Sequence, residues 1–134
     1  DIPSGSLAYK KKAHASTYYH KRASNRPAMA FDDDDTTCWR ASTNHGWLQG
    51  DLGKPCNVDT AVIQQERQYF SAEKYELLCE VDGRWKKLAA GEKLPLLAVL
   101  KFDPVKARRF RIKLSRRNLQ PIIRELHLFG PEDI

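Results

Sequence analysis

Arg109-Phe110-Arg111-Ile112-Lys113-Leu114 puts a charged side chain at each odd position and an apolar one at each even position. Successive side chains of a β-strand point to opposite faces, so this alternation describes a strand with one face on a core and the other in water. The same region, extended to Lys106, Arg108, Arg116 and Arg117, also has the charge density of an electrostatic footprint for nucleic acid or anionic lipid. Both readings stand on sequence alone, and the solvated strand face is the simpler one.

Working outward, other segments show the strand signature: Trp47 to Leu52, Asn57 to Gln65, Lys74 to Val81, Trp85 to Ala89, Val99 to Phe102 and Ile122 to Phe129. Turn signals separate them at Gly53-Lys54-Pro55, Asp82-Gly83, Asp103-Pro104 and Gly130-Pro131. Asp82-Gly83 predicts a hairpin, because those two residues accept the positive φ angles of a type I′ turn. Good helical stretches, internal repeats and low-complexity segments are absent, so the pattern is all-β, a sandwich or a barrel.

The chain has 134 residues and a net charge of +6, with 41% hydrophobic and 30% charged residues, enough for one domain with one core. Its longest apolar run, Leu94 to Leu100, is interrupted by Pro95 and falls short of the ~18 residues of a membrane helix. Asp1-Ile2-Pro3-Ser4-Gly5-Ser6 reads as a linker and residues 131–134 as a tail around a domain at 7–130. With no initiating Met and no signal peptide, the chain is expected to be a piece of a longer protein. Cys38, Cys56 and Cys79 lie far apart with no CxxC, which leaves one bridge plus a thiol, or three thiols, as the alternatives.

One segment stands against the basic balance: Ala30-Phe31-Asp32-Asp33-Asp34-Asp35-Thr36-Thr37-Cys38-Trp39. Carboxylates and hydroxyls crowded between Phe31 and Trp39, which favour burial, point to a hard cation, calcium above all. An EF-hand loop is excluded, since Thr37 stands where Gly is required and Thr43 where Glu is. In Ile122 to Phe129, alternation sets Ile122, Arg124, Leu126 and Leu128 on one face and Glu125 with His127 on the other. Periodicity alone makes Glu125 solvent-facing.

In this order, Leu7-Ala8, His14-Ala15-Ser16, Ala30 to Asp34 with Thr37 and Trp39, Trp47 to Pro55, Lys74-Tyr75-Glu76-Leu77, Asp82 to Lys86, Phe102 to Arg111 and Glu125 to Gly130 resemble the discoidin, or coagulation-factor type C, domain. This is the galactose-binding-like family that includes family 32 carbohydrate-binding modules. Ile63-Gln64-Gln65-Glu66-Arg67 and Trp85-Lys86-Lys87-Leu88-Ala89 look most like the module appended to bacterial α-L-fucosidases. The resemblance implies a β-sandwich jelly roll of about eight antiparallel strands. It also implies a structural calcium site made by the carbonyls of Met29, Asp34 and Arg124, the side chains of Asp32 and Glu125, and Thr37, which turns Glu125 from solvent-facing to ligand. Asp33 stands where the family usually has a φ-positive Gly, and Asp33 and Asp35 are expected to point to solvent.

A sugar site needs an aromatic face and a few fixed polar groups, and the fork of Arg suits paired hydroxyls. By resemblance the site lies in loops at one end of the sandwich. Arg40 stands where relatives have a His, Arg67 matches a binding Arg, and Lys74 stands at a second Arg position of fucose-binding relatives. Tyr19, Tyr69 and Phe70 supply aromatic candidates, with Tyr18 beside them. Each has a plainer role: Arg67 pairing with Glu66 or Glu73, Arg40 bracing the aspartate loop through Asp35, Tyr69 and Phe70 packing on a parent catalytic domain, the tyrosines packing their own loop. Trp39, Trp47 and Trp85 are expected in the core, and His45 and His127 without special role.

No nucleophile motif or pair of facing carboxylates supports catalysis. The leading reading is a non-catalytic carbohydrate-binding module of a larger secreted glycoside hydrolase such as an α-L-fucosidase, extracellular or periplasmic, its partners a terminal sugar and the parent catalytic domain. The alternatives are a structural module that packs on that domain without binding sugar, and a basic-surface binder of anionic lipid, nucleic acid or protein.

Overall fold

The computed structural model describes residues 5–34, 36–65, 72–117 and 119–131. Its strands are β1 (Lys12–Ala15), β2 (Trp39–Arg40), β3 (His45–Gln65), β4 (Lys74–Val81), β5 (Arg84–Glu92), β6 (Leu97–Ser115) and β7 (Ile122–Phe129). Three single-turn 3-10 helices, Tyr19–Lys21, Ala23–Asn25 and Pro27–Ala30, lead from β1 to the aspartate loop. Every strand pairing is antiparallel.

The sheet is continuous but doubles over, because β3 and β6 each run through both layers. The first half of β3 pairs with β1 and with the end of β6 (Asp51 opposite Arg109, His45 opposite Ser115), and β6 continues to β4 and β5. The second half of β3 pairs with the start of β6 and with β7, which carries β2 at its edge. This is the all-β sandwich expected, with a correction to its count and corners. Gly53-Lys54-Pro55 and Asp103-Pro104 do not end strands. They fall at register shifts, between Asp51 and Cys56 and between Val58 and Thr60 with their partners on β6, where the two long strands bend from one layer to the other. Proline and positive-φ glycine serve a bulged corner as well as a turn, and Gly53 has φ of 84°. Two predicted strand pairs therefore merge into β3 and β6, while β1 and β2 were not anticipated. The Asp82-Gly83 hairpin is present, with φ of 53° and 76° and Val81 opposite Arg84.

The core is filled from the front layer by Leu48, Leu77, Phe110, Ile112 and Leu114 and from the back by Ala61, Ile63, Leu126 and Leu128, with Phe31 and Trp39 beside them. Phe31 lies so close to β3 that a Cβ at Gly50 would sit 3.1 Å from its ring, which is why the aspartate loop can be anchored there. The tryptophans divide. Trp39 is fully buried, but Trp47 and Trp85 stand on the outer face of the front layer, only half-buried, with the Arg111 guanidinium between them at 3.8 and 4.1 Å. The Cys38, Cys56 and Cys79 sulfurs are not joined by disulfides.

The outer face also settles the charge question posed by Arg109 to Leu114. Phe110, Ile112 and Leu114 are buried, whereas Arg108 and Arg109 meet Asp51, Arg109 also meets Glu80, Arg111 donates twice to Gln49 and Lys113 lies 3.7 Å from Glu76. Arg109, Arg111 and Lys113 lie on the outer face of a strand, Arg109 and Lys113 against acids and Arg111 against Gln49 and two indoles.

Asp51 is central to that match. Burial pushes its carboxyl up, but donation from Arg108 and the Gly53 amide, with the charges of Arg108 and Arg109, outweighs burial and holds it below the ordinary range. A depressed acid stabilises the fold above its unfolded value, about 3.9, and loses that contribution as pH falls through the folded value. Asp51→Asn should cost about 1 kcal/mol in urea denaturation at pH 7, the exposed Arg108 limiting the effect, and the gap to wild type should close below about pH 4. An equal gap at pH 7 and pH 3 would contradict this account of Asp51.

Candidate functional site

The aspartate loop leaves the third 3-10 helix and folds over the outer face of the back layer, against β7. Its turns are made by its own acids: the Asp34 amide donates to Asp32 Oδ1 at 3.1 Å, and the Thr36 amide and hydroxyl both donate to Asp34 Oδ1. The two Thr36 hydrogen bonds hold the Asp34 carboxyl below its usual range. Asp33 takes φ of 54°, the conformation for which the family's usual residue is Gly.

Thr37 Oγ1 lies 3.1 Å from the Met29 carbonyl, 2.6 Å from Asp32 Oδ2 and 2.9 Å from the Asp34 carbonyl. One hydroxyl proton can serve only one of these three acceptors. Beneath them Glu125 is 1% exposed, its carboxyl set against the Asp32 carboxyl and the Asp33 backbone. Burial first, and then the neighbouring Asp32 carboxyl, push Glu125 up to about 9. Carboxylate, carbonyl and hydroxyl oxygens that converge with more acceptors than donors fit a hard divalent cation. Of the expected ligand set, Met29, Asp32, Asp34 and Thr37 are thus brought together, and Glu125 faces into the protein beside Asp32 and Asp33. Arg124 is skipped where the register of β7 shifts against Gln64 and Gln65.

The solvent-facing reading of Glu125 from periodicity is overturned because the aspartate loop covers that face of β7. Asp33 is exposed, as expected, and its carboxylate also lies within 4.8 Å of ligand atoms of Glu125 and His127, while His127 is 3% exposed. Burial lowers the His127 imidazole below its usual value. The signal for His127 was in the sequence, since it shares a strand face with Glu125. Asp35 lies outside the described residues.

The second candidate lies at the end of the sandwich where β1 ends, β3 and β4 begin and β6 ends. Arg40, the last residue of β2, donates from Nη2 to Gln120 Oε1 at 3.0 Å and lays its guanidinium 3.8 Å from the centre of the Tyr19 ring. Arg22 approaches the same ring at 5.1 Å and His20 meets its edge. Thr17 and Tyr18 are tied to Ser42 by two hydrogen bonds, so the Tyr19 and Arg40 segments are positioned together. The expected partner Asp35 lies outside the described residues.

Beside the Thr17 and Thr43 loops a groove of about 760 Å³ runs along the end of the front layer, lined by Trp47, Lys74, Tyr75, Lys113 and Glu92. Lys74 thus faces a cavity with two aromatic neighbours. Arg67, Tyr69 and Phe70 lie outside the described residues; Gln65 is buried, and its side chain donates to the Leu94 and Pro95 carbonyls and accepts from the Ala72 amide. Arg40 and Tyr19 are therefore brought together, and Lys74 opens on the groove at the same end. No helix among the described residues is long and apolar enough to cross a membrane.

Comparison with solved structures returns this architecture repeatedly. A chitosan-binding module of a chitosanase/glucanase from Paenibacillus sp. IK-5 superposes with a TM-score of 0.83 at 20% identity, over 94% of this chain and 99% of that one. A GH29 fucosidase from Ruminococcus gnavus in complex with fucose gives 0.86 at 21% identity, covering 96% of this chain but 27% of the longer enzyme. The family 32 module of NanJ from C. perfringens, in complex with galactose, gives 0.75 at 21% identity, over 89% and 93%. At such identities these likenesses establish the fold. No curated protein sequence matches. The sequence itself matches the F5/8 type C domain over residues 12–126, and the chain belongs to that family.

Proposed function

We propose that this domain is a non-catalytic carbohydrate-binding module of a larger secreted glycoside hydrolase, extracellular or periplasmic, whose aspartate loop holds a structural calcium ion. The observation that carries the sugar reading is Arg40 stacked on Tyr19 at the groove end. With Nη2 on Gln120 and Nε buried, Nη1 is the guanidinium nitrogen left to donate to a sugar hydroxyl, and Trp47 and Tyr75 offer apolar surface to a pyranose face. Solved neighbours described as bound to chitotriose, galactose or fucose support the class of ligand. In the calcium reading Met29, Asp32, Asp34, Thr37 and Glu125, with the carbonyl of Arg124 at the β7 register shift, would hold the ion, which supplies a charge-neutralising cross-link between the loop and the last strand.

The test is calorimetric titration with chitosan oligosaccharides, galactosides and fucosides. A millimolar or tighter ligand is expected, with Arg40→Ala weakening it about tenfold, or ~1.4 kcal/mol. Absence of binding across the panel at millimolar concentration, or binding untouched by Arg40→Ala, would overturn the assignment. The second reading, a structural module that packs on a catalytic domain, is favoured by one observation: Arg40 already has Gln120 and Tyr19 as partners. Under that reading Arg40→Ala lowers the melting temperature and no sugar binds.

A further inference from the structure

Glu125 and His127 are two residues apart on β7 and turn to the same covered face, where Glu125 Oε1 and His127 Nε2 lie 3.4 Å apart. The Asp33 carboxylate completes a group whose ligand atoms all fall within 4.8 Å of one another. His127 Nε2 is buried with no hydrogen-bond partner among the described residues, and the Glu125 carboxyl beside it is buried against Asp32 and Asp33. A buried ring nitrogen without a hydrogen-bond partner, set beside a buried carboxyl and a third ligand atom within 4.8 Å, is costly unless something joins them.

We propose that Asp33, Glu125 and His127 form a site for a borderline transition-metal dication, zinc being the representative, on the His127 side of the aspartate loop and sharing Glu125 with the oxygen donors there. The donor chemistry separates it from the calcium reading. Calcium takes oxygen ligands, whereas an imidazole nitrogen with carboxylates suits zinc or cobalt. The spacing fits too: bonds of about 2.0–2.1 Å to a tetrahedral ion put neighbouring ligand atoms about 3.4 Å apart, the separation of Nε2 and Oε1. Asp33 reaches the site because its φ of 54° turns the loop there, and a Gly at that position would offer no carboxylate. Sharing Glu125 makes zinc and calcium competitors, but the zinc site does not require that calcium bind.

The experiment titrates Zn²⁺ and Co²⁺ into chelator-treated domain and follows cobalt absorption and melting temperature. The expected result is a visible cobalt spectrum of a nitrogen- and oxygen-ligated ion, displaced by zinc, and a zinc-induced rise in melting temperature. His127→Gln should abolish the spectrum and weaken zinc at least tenfold while leaving any calcium-induced stabilisation in place. Asp32→Ala should do the reverse. Those two variants keep failure of this site distinct from failure of the calcium reading. Absence of a cobalt spectrum, or one retained in His127→Gln and so due to the exposed His14, His20 or His45, would overturn the proposal. Should His127→Gln not fold, Asp33→Asn decides: a spectrum and zinc affinity equal to wild type would overturn it.

Discussion

Removing calcium with a chelator is expected to lower the melting temperature of this domain by about 10 °C, and Asp32→Ala should melt at the lower temperature with or without calcium. The magnitude follows from linkage. An ion at about a hundred times its dissociation constant, bound only by the folded state, stabilises by ~2.7 kcal/mol, and each kcal/mol moves a domain of this size by about 4 °C. The physical basis is the crowd of acceptors around Thr37 Oγ1, at 3.1, 2.6 and 2.9 Å, over the buried Glu125. Without a cation these oxygens share the Thr37 hydroxyl proton and the proton that burial keeps on Glu125, whose pKa is pushed up to about 9. Thermal scans with calcium and with chelator check the prediction. Identical melting in both, or a calcium response that survives Asp32→Ala, would contradict it.

Trp39→Ala is expected to be the most destabilising single tryptophan replacement, by about 3–5 kcal/mol. Trp39 is fully buried, sits on the two-residue edge strand β2, and donates from Nε1 to the Thr17 carbonyl at 2.9 Å. Its loss opens a cavity beside Ala41 and Gly46 and leaves the Thr17 carbonyl without its donor, loosening the segments that position Tyr19 and Arg40. With a total stability of about 5–15 kcal/mol for a domain, the variant should lie near the edge of folding. Trp85→Ala, at a half-buried site on the outer face, should cost clearly less, although it removes one side of the Arg111 stack. Urea denaturation of the two variants gives the comparison, and an equal or larger loss for Trp85→Ala would contradict this division of the tryptophans.

The strands were legible because alternation is a local property: Arg109 to Leu114 shows its buried and solvated faces without reference to any neighbour. The corners were not. Gly53-Lys54-Pro55 and Asp103-Pro104 mark a bend in the chain, but whether a bend ends a strand or carries it into the other layer depends on pairing with β6 and β3. Trp47 and Trp85 were misplaced in the core because hydrophobicity favours burial, while the Arg111 guanidinium gives their indoles a partner at the surface.

The convergence of Met29, Asp32, Asp34 and Thr37 was legible through the aspartates and the family resemblance. Glu125 by periodicity was not, because its face is buried by a loop just over ninety residues earlier in the chain. The burial of His127, which alternates with Glu125, has the same cause. At the sandwich end, Arg40 and Tyr19 were named separately for their chemistry, and the structure adds that they stack.

The central claim is that recognition belongs to this end of the sandwich and architecture to the aspartate loop. The most direct measurement is a chemical-shift map of the ¹⁵N-labelled, calcium-loaded domain during titration with the best ligand of the sugar panel. Shifts are predicted at Tyr19, Arg40, Trp47 and Lys74, with Asp32, Thr37 and the Asp82-Gly83 hairpin unmoved. Shifts centred on the hairpin or on the aspartate loop, or none at millimolar sugar, would contradict the account.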